Sequence, residues 1–122
     1  MAEIKMGSSE KKFAEVVWEN EPITASDLAK IAENEFGWKK TTTYTVLKRL
    51  CNKGILDNAS GMVTSLFSKE EYSSAHSQSF VGNHFKGSLP AFIAAFTREN
   101  GLSEDEYKEI RQIIDRARGG EE

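Results

Sequence analysis

The most informative segment of the chain runs from Lys40 to Leu50 and reads Lys-Thr-Thr-Thr-Tyr-Thr-Val-Leu-Lys-Arg-Leu. At about 100° per residue, a helix over this segment has one largely apolar face and one polar face. The apolar face carries Thr43, Val46, Leu47 and Leu50, whereas the polar face carries Thr41, Thr45, Lys48 and Asn52, flanked by Thr42, Tyr44 and Arg49. The spacing predicts an amphipathic helix from about Lys40 to Asn52, with Gly54 as its stop.

The polar face of this helix has the composition of a surface that enters the DNA major groove. Residues 38–54 contain no Asp or Glu, five basic residues and four threonines. Threonine hydroxyls can bond to phosphates or base edges, and threonine methyls can pack on the methyl group of thymine. Several β-branched residues are a poor choice for a helix start, and capping explains only one or two of them. We therefore predict a recognition helix that binds duplex DNA.

The basic residues of this segment have different expected roles. Lys39 and Lys40 lie at the helix start, where backbone N–H groups also favour anions, so we expect them to hold phosphates. Lys48 and Arg49 could serve bases or phosphates, and the sequence does not separate these two roles.

A hairpin is predicted directly after the helix. Residues 55–58 form the expected first strand, residues 59–61 the turn and residues 62–67 the returning strand. We include Ser60 of the turn among the DNA-binding residues. The turn has no Arg or Lys, so two interpretations stay open: a hairpin that contacts DNA and a hairpin that only covers the core.

Helix-start signals place the other helices. A hydroxyl residue precedes each apolar helical pattern, at Ser8, Thr24, Ser68 and Ser103. Later helices are expected over residues 69–85, 89–99 and 103–118. Three helices followed by a hairpin are the element order of a winged helix. We predict a mainly α fold, in which an N-terminal winged helix-turn-helix with a two-stranded wing (residues 1–69) precedes a C-terminal helical dimerisation region (residues 70–122).

Charge is distributed unevenly along the chain. The formal net charge at pH 7 is −3, but residues 37–69 carry six basic residues and one acidic residue, whereas residues 70–122 carry six basic and ten acidic residues. This asymmetry is typical of a DNA-binding part joined to an acidic oligomerisation part, although chance scatter of surface charge would also produce it.

Apolar stripes at helical spacing occupy the C-terminal region. We predict that they form a dimer interface, with an intrachain core as the alternative. The residues are Leu89, Phe92, Ile93, Phe96, Tyr107, Ile110, Ile113 and Ile114.

Several other function classes find no support in the sequence. The chain has one cysteine, Cys51, and its histidines, His76 and His84, are eight residues apart, so we expect neither a metal site nor a cofactor. Cys51 is expected to pack inertly rather than to sense redox changes. No nucleophile–base set or phosphate loop is present, so we expect no enzyme activity. The lack of a long apolar run or an apolar leader at the start predicts a cytoplasmic protein without a membrane partner.

Residues 38–54, Trp-Lys-Lys-Thr-Thr-Thr-Tyr-Thr-Val-Leu-Lys-Arg-Leu-Cys-Asn-Lys-Gly, resemble the recognition-helix segment of the penicillinase-repressor family (BlaI/MecI/CopY). The resemblance extends to Val16-Val17-Trp18 and to Ser103-Glu104-Asp105-Glu106, and so covers nearly the whole chain. It implies a homodimeric repressor whose winged helices bind the two halves of a palindromic DNA operator. It also implies DNA contacts from Thr41, Thr42, Tyr44, Thr45 and Arg49.

The chain departs from the family pattern in three places. Tyr44 stands where relatives often carry a longer polar or basic side chain, which leaves base preference there open. Copper-responsive members carry a C-terminal cysteine cluster, but no cysteine follows Cys51, so copper sensing of that type is not expected. Antibiotic-responsive members are cleaved at an Asn-Phe bond, and the corresponding pair here is Ala95-Phe96. Release by cleavage, with a sensor or protease as partner, stays open.

One alternative function remains, a winged-helix module that binds a partner protein without sequence-specific DNA binding. The alternatives differ in salt dependence, since DNA binding weakens steeply as salt rises.

Overall fold

The computed structural model describes residues 4–119. It is mainly helical, with a small antiparallel sheet whose hairpin follows the third helix, which confirms the predicted fold class. The elements in chain order are α1 (Ser8–Asn20), β1 (Ile23–Thr24), α2 (Ala25–Phe36), α3 (Lys40–Asn52), β2 (Leu56–Ala59), β3 (Met62–Ser65), α4 (Lys69–Phe85), α5 (Leu89–Phe96) and α6 (Glu104–Ala117).

The sheet has three strands rather than the predicted two. Its order is β1-β3-β2, and Ile23 of β1 pairs with Val63 of β3. The sequence did not predict β1, because two residues are too few to show alternation. Next to this pairing, the Glu21 carboxylate accepts hydrogen bonds from the backbone N–H (2.7 Å) and the hydroxyl (2.9 Å) of Ser65. The wing is therefore fastened at its base to the chain that leads into α2.

The chain divides into two compact units, residues 1–79 and 80–122. The predicted domain boundary, between residues 69 and 70, lies at the start of α4, whereas the division between the units lies within that helix. The domain boundary between residues 69 and 70 stays a prediction, because it states which part of the chain folds independently.

A single core holds the first unit together. It is formed by α1, α2, α3 and the sheet, which bury large side chains almost completely. Each fully buried Val, Leu or Phe side chain among them contributes about 1.5–3 kcal/mol relative to an exposed position. The largest fully buried residues are Phe13, Leu28, Leu50, Leu56, Val17, Val63 and Thr43.

Helix starts largely follow the predicted signals. At its other end, α2 stops at Gly37, which takes the left-handed conformation (φ 71°) that glycine adopts at low cost. The prediction that Ser8 caps α1 is wrong. Gly7 is the N-cap, and its N–H donates to the Glu10 carboxylate at 3.0 Å. The expected hydroxyls accept from a backbone N–H three residues on at the other three starts, Thr24, Ser68 and Ser103.

The second unit contains a small aromatic cluster. The rings of Phe85 and Phe92 meet edge to face with centroids 5.5 Å apart, and Phe80 packs on Phe92 at 6.0 Å. Helix α5 ends at Phe96, three residues earlier than predicted, and just past its end the Arg98 N–H bonds to the carbonyl three residues back, on Ala95. Within residues 4–119, no helix is both long and apolar enough to cross a bilayer.

Candidate nucleic-acid interface

The orientation of α3 determines which side chains face outward. Thr43, Val46, Leu47 and Leu50 are buried, and this confirms the predicted core-facing side of the helix. Every residue predicted to bind DNA is exposed. These residues are Lys39, Lys40, Thr41, Thr42, Tyr44, Thr45, Lys48, Arg49 and Ser60.

Trp38 anchors the start of α3 to the core. Its ring stacks on Phe13 with centroids 5.8 Å apart and also packs on Phe36 at 5.0 Å. The next two residues, Lys39 and Lys40, therefore have a defined position at the N-terminus of α3. Two cations at the positive end of a helix dipole are unfavourable in isolation, and phosphates beside them would relieve this repulsion. The arrangement suits an anion.

A shallow groove follows the outer face of α3. Its volume is about 200 Å³, and it is lined by Thr41, Thr42, Thr45, Val46 and Arg49. We call it the threonine groove. The hydroxyl of Thr45 donates to the carbonyl of Thr41 at 2.9 Å, so its oxygen and methyl group, rather than its proton, face a ligand. The groove thus combines hydroxyls, methyls and one guanidinium, the groups that read base edges.

A second groove brings Tyr44 together with the wing. Its volume is about 520 Å³, and its lining residues are Thr24, Ala25, Ser26, Tyr44, Asn58, Ser60, Gly61 and Met62. Ser60 has a positive φ of 53°, and the Asn58 side chain accepts from the Gly61 N–H at 2.9 Å, so the turn has a defined shape. Sequence reasoning missed Thr24, Ser26 and Met62, because only the packing of the wing beside α2 and α3 assembles this groove.

A buried acid at the end of α3 was also missed. Glu10 is only 5% exposed. Its carboxylate accepts from Lys53 Nζ at 2.8 Å and from Arg49 Nη1 at 3.3 Å. The signal was available, because Glu10 has helical spacing with the core residues Phe13 and Val17. A carboxylate within an apolar stripe predicts a buried partner.

Hydrogen bonds keep this acid ionised. Burial alone raises the pKa of Glu10, but the hydrogen bonds from Lys53, from the Gly7 backbone and from Arg49 together lower it further than burial raises it. The net pKa lies below the ordinary value for a glutamate. Lys53 and Arg49 are thus partly neutralised by Glu10. For Lys39, Lys40 and Lys48, no carboxylate partner is found among residues 4–119.

The cysteine and the histidines take no part in this face. Burial, with a smaller effect of Asp57, raises the pKa of the Cys51 thiol, which disfavours the reactive thiolate. In the first unit, the His76 ring stacks on Tyr72 at 5.6 Å, and in the second unit the His84 ring packs on Phe80 at 4.6 Å. The part of the chain that the structure describes holds no group of three metal-ligating side chains.

Known proteins match the sequence of this chain over most of its length. A family model described as penicillinase repressor matches residues 6–116. The methicillin resistance regulatory protein MecI of Staphylococcus aureus strain Mu50 is 24% identical over 116 residues, which cover 92% of this chain and 94% of the relative. The penicillinase repressor of Bacillus licheniformis is 26% identical over 115 residues, which cover 91% and 90%. Because the family model spans α3, the wing and almost all of α6, the chain belongs to the penicillinase repressor family.

Proposed function

We propose that this protein is a sequence-specific transcriptional repressor that binds a palindromic DNA operator as a homodimer and acts in the cytoplasm. The observation that carries the proposal is the orientation of α3. Its apolar side is buried, while an outer side without any acidic residue presents threonines, Tyr44 and basic residues to solvent. The relatives are named as a regulator of methicillin resistance and as a repressor of penicillinase, which supports a repressor.

The grooves suggest how DNA would lie on the first unit. A helix fits the major groove of B-DNA, so α3 would enter it with the threonine groove toward the base edges. Lys39 and Lys40 would each hold a phosphate at the start of the helix. The groove between Tyr44 and the wing would receive the adjacent sugar-phosphate backbone, contacted by Ser60.

The apolar surface of the second unit supports a homodimer. Phe96 is 70% exposed, and Phe92 and Ile110 are only partly buried within the chain. Monomeric proteins rarely leave so many large apolar side chains exposed on so small a unit, and a two-fold interface would cover them. The other exposed members of the predicted stripes are Leu89, Ile93, Tyr107, Ile113 and Ile114.

Dimerisation also offers a route to release. The pair Ala95-Phe96 lies in the last turn of α5 and is exposed. Cleavage there by a protease, or through a sensor protein, would detach α6 from the DNA-binding unit. In the dimer, binding of one protomer to its half-site raises the effective concentration of the other protomer at the second half-site. Cleavage would remove this advantage and weaken operator binding. Mass spectrometry of the chain from induced cells tests this step, and an intact chain after full induction excludes it.

Selection of bound fragments from genomic DNA tests the main proposal. We expect a palindromic motif, and recovery of unrelated fragments would refute it. The double variant Thr42→Ala, Arg49→Ala should weaken specific binding by roughly 10-fold to 1,000-fold and non-specific binding far less. Arg98→Ala, which removes an exposed arginine of the second unit, serves as the control and should bind as the wild type does.

The alternative, a winged-helix module for a partner protein, predicts a different response to salt. Its binding would change little between low and high salt, whereas operator binding should weaken steeply.

A further inference from the structure

The carboxylate of Glu10 connects α1 to the last turn of α3. Its Oε1 accepts from Lys53 Nζ at 2.8 Å and from the Gly7 N–H at 3.0 Å, and its Oε2 accepts from Arg49 Nη1 at 3.3 Å. Arg49 lies in the last turn of α3, and Lys53, four residues later, is the C-cap of that helix, so both reach the same acid from one side. One buried charge therefore restrains two long side chains of the candidate interface.

The contact with Glu10 restrains Arg49 but uses only part of its hydrogen-bonding capacity. A guanidinium has five N–H donors in a rigid plane, and Glu10 takes a single Nη1 contact at 3.3 Å. The Arg49 side chain remains 50% exposed and lines the threonine groove beside Thr42 and Thr45. Its other donors are therefore available to a ligand in that groove, while the contact with Glu10 of α1 fixes the direction of the Arg49 side chain.

Lys53 is placed differently. Besides Glu10, its ammonium donates to the backbone carbonyl of Lys5 at 3.4 Å. It does not line the threonine groove. Lys53 therefore serves chiefly to neutralise the buried acid.

We propose that Glu10 is a positioning residue for DNA recognition, one that acts through Arg49. By holding the guanidinium over the threonine groove before DNA arrives, Glu10 removes side-chain freedom that would otherwise be lost on binding. This inference rests on the proposed function, because it requires that α3 reads DNA. Glu10 itself is buried, so it would not touch a base or a phosphate.

The negative charge of Glu10 should weaken binding to DNA, whereas its positioning of Arg49 should strengthen binding to the operator. These opposite effects make the proposal testable. A negative charge behind the interface repels phosphates, so its removal should strengthen non-specific binding or leave it unchanged. Loss of positioning should weaken specific binding only. In Glu10→Gln, we expect operator affinity to fall about tenfold while affinity for random duplex stays equal or rises. A purely structural role would weaken both kinds of binding together.

The control is Glu15→Gln. It makes the same chemical change on the same helix. The Glu15 carboxylate lies 3.5 Å from Lys11 Nζ and so pairs with a residue of α1 rather than of α3. This variant should keep the wild-type ratio of specific to non-specific affinity. Thermal unfolding of each variant ensures that binding is compared for folded protein. Should Glu10→Gln not fold, Glu10→Asp retains the charge but shortens the reach, and it should also lower the ratio.

A double-mutant cycle assigns the effect to Arg49. In the Arg49→Ala background, Glu10→Gln should cause no further loss of operator affinity, since its only route to DNA is gone. An equal loss in both backgrounds, or an unchanged affinity ratio in Glu10→Gln, would overturn the proposal. Failure of the proposed function is a distinct result, because the wild-type chain would then select no operator at all.

Discussion

Neutralising the two lysines at the start of α3 should change the salt dependence of operator binding by a calculable amount. The double variant is Lys39→Gln, Lys40→Gln. Both side chains are exposed beside the N-terminus of the helix, and no carboxylate among residues 4–119 pairs with either. We therefore expect each to neutralise one phosphate per protomer.

The magnitude follows from the release of counterions. Three exposed lysines without a carboxylate partner in the described part of the chain, Lys39, Lys40 and Lys48, give about six phosphate contacts in a dimer and a slope of log K against log salt of about −5.4. The variant loses about four of these contacts, so the slope should fall to roughly −1.8. Between 50 and 200 mM salt, the wild type should thus lose about 10³-fold in affinity and the variant only about tenfold.

Fluorescence anisotropy with a labelled operator duplex at four or five salt concentrations measures both slopes. Lys108→Gln is the matched control, because Lys108 lies on α6 and pairs only loosely with Glu104 at 3.9 Å. Its slope should equal that of the wild type. Equal slopes for the wild type and the double variant would show that the start of α3 does not face phosphates, and the assigned docking would then be wrong.

Three further outcomes are expected. Thr43→Val should raise the free energy of unfolding by about 1 kcal/mol in urea titrations and leave operator affinity unchanged, since its buried hydroxyl finds no hydrogen-bond partner among the described residues; a loss of stability would contradict this. Ile114→Glu should yield monomers by sedimentation and weaken operator binding at least about 100-fold, whereas the exposed Glu109→Gln should remain dimeric; a dimeric Ile114→Glu would argue against the interface. Because hydrogen bonds hold the pKa of Glu10 below its ordinary value, its ionised form stabilises the fold above that value, and this stabilisation disappears as the pH falls through the folded pKa. Glu10→Gln should therefore flatten the acid side of the stability curve, and curves parallel to the wild type would show that Glu10 does not contribute.

Local signals predicted most of the fold. The helix from Lys40 to Asn52 was predicted with its observed bounds, because a 3.6-residue apolar period and a stop at Gly54 are properties of neighbouring residues alone. The cap residues Thr24, Ser68 and Ser103 were predicted for the same reason. In each case the hydroxyl accepts from a backbone N–H three residues further along the chain, which is a local contact. The end of α5 and the true N-cap of α1 lie within a turn or so of their predicted positions.

Long-range contacts account for what the sequence did not show. Strand β1 forms only because β3 pairs with it. The sequence of two residues does not show that they pair with a strand some forty positions away. The groove between Tyr44 and the wing likewise needs α2, α3 and the turn to meet.

Within the candidate interface, the sequence alone determined that α3 has an acid-free, threonine-rich outer face and a buried apolar one. Only the tertiary structure decided that Arg49 on that face is held from behind by Glu10, 39 residues earlier in the chain. The physical reason is that helical periodicity specifies the direction of each side chain on its own helix, whereas the pairing of buried charges depends on which helices the core brings together.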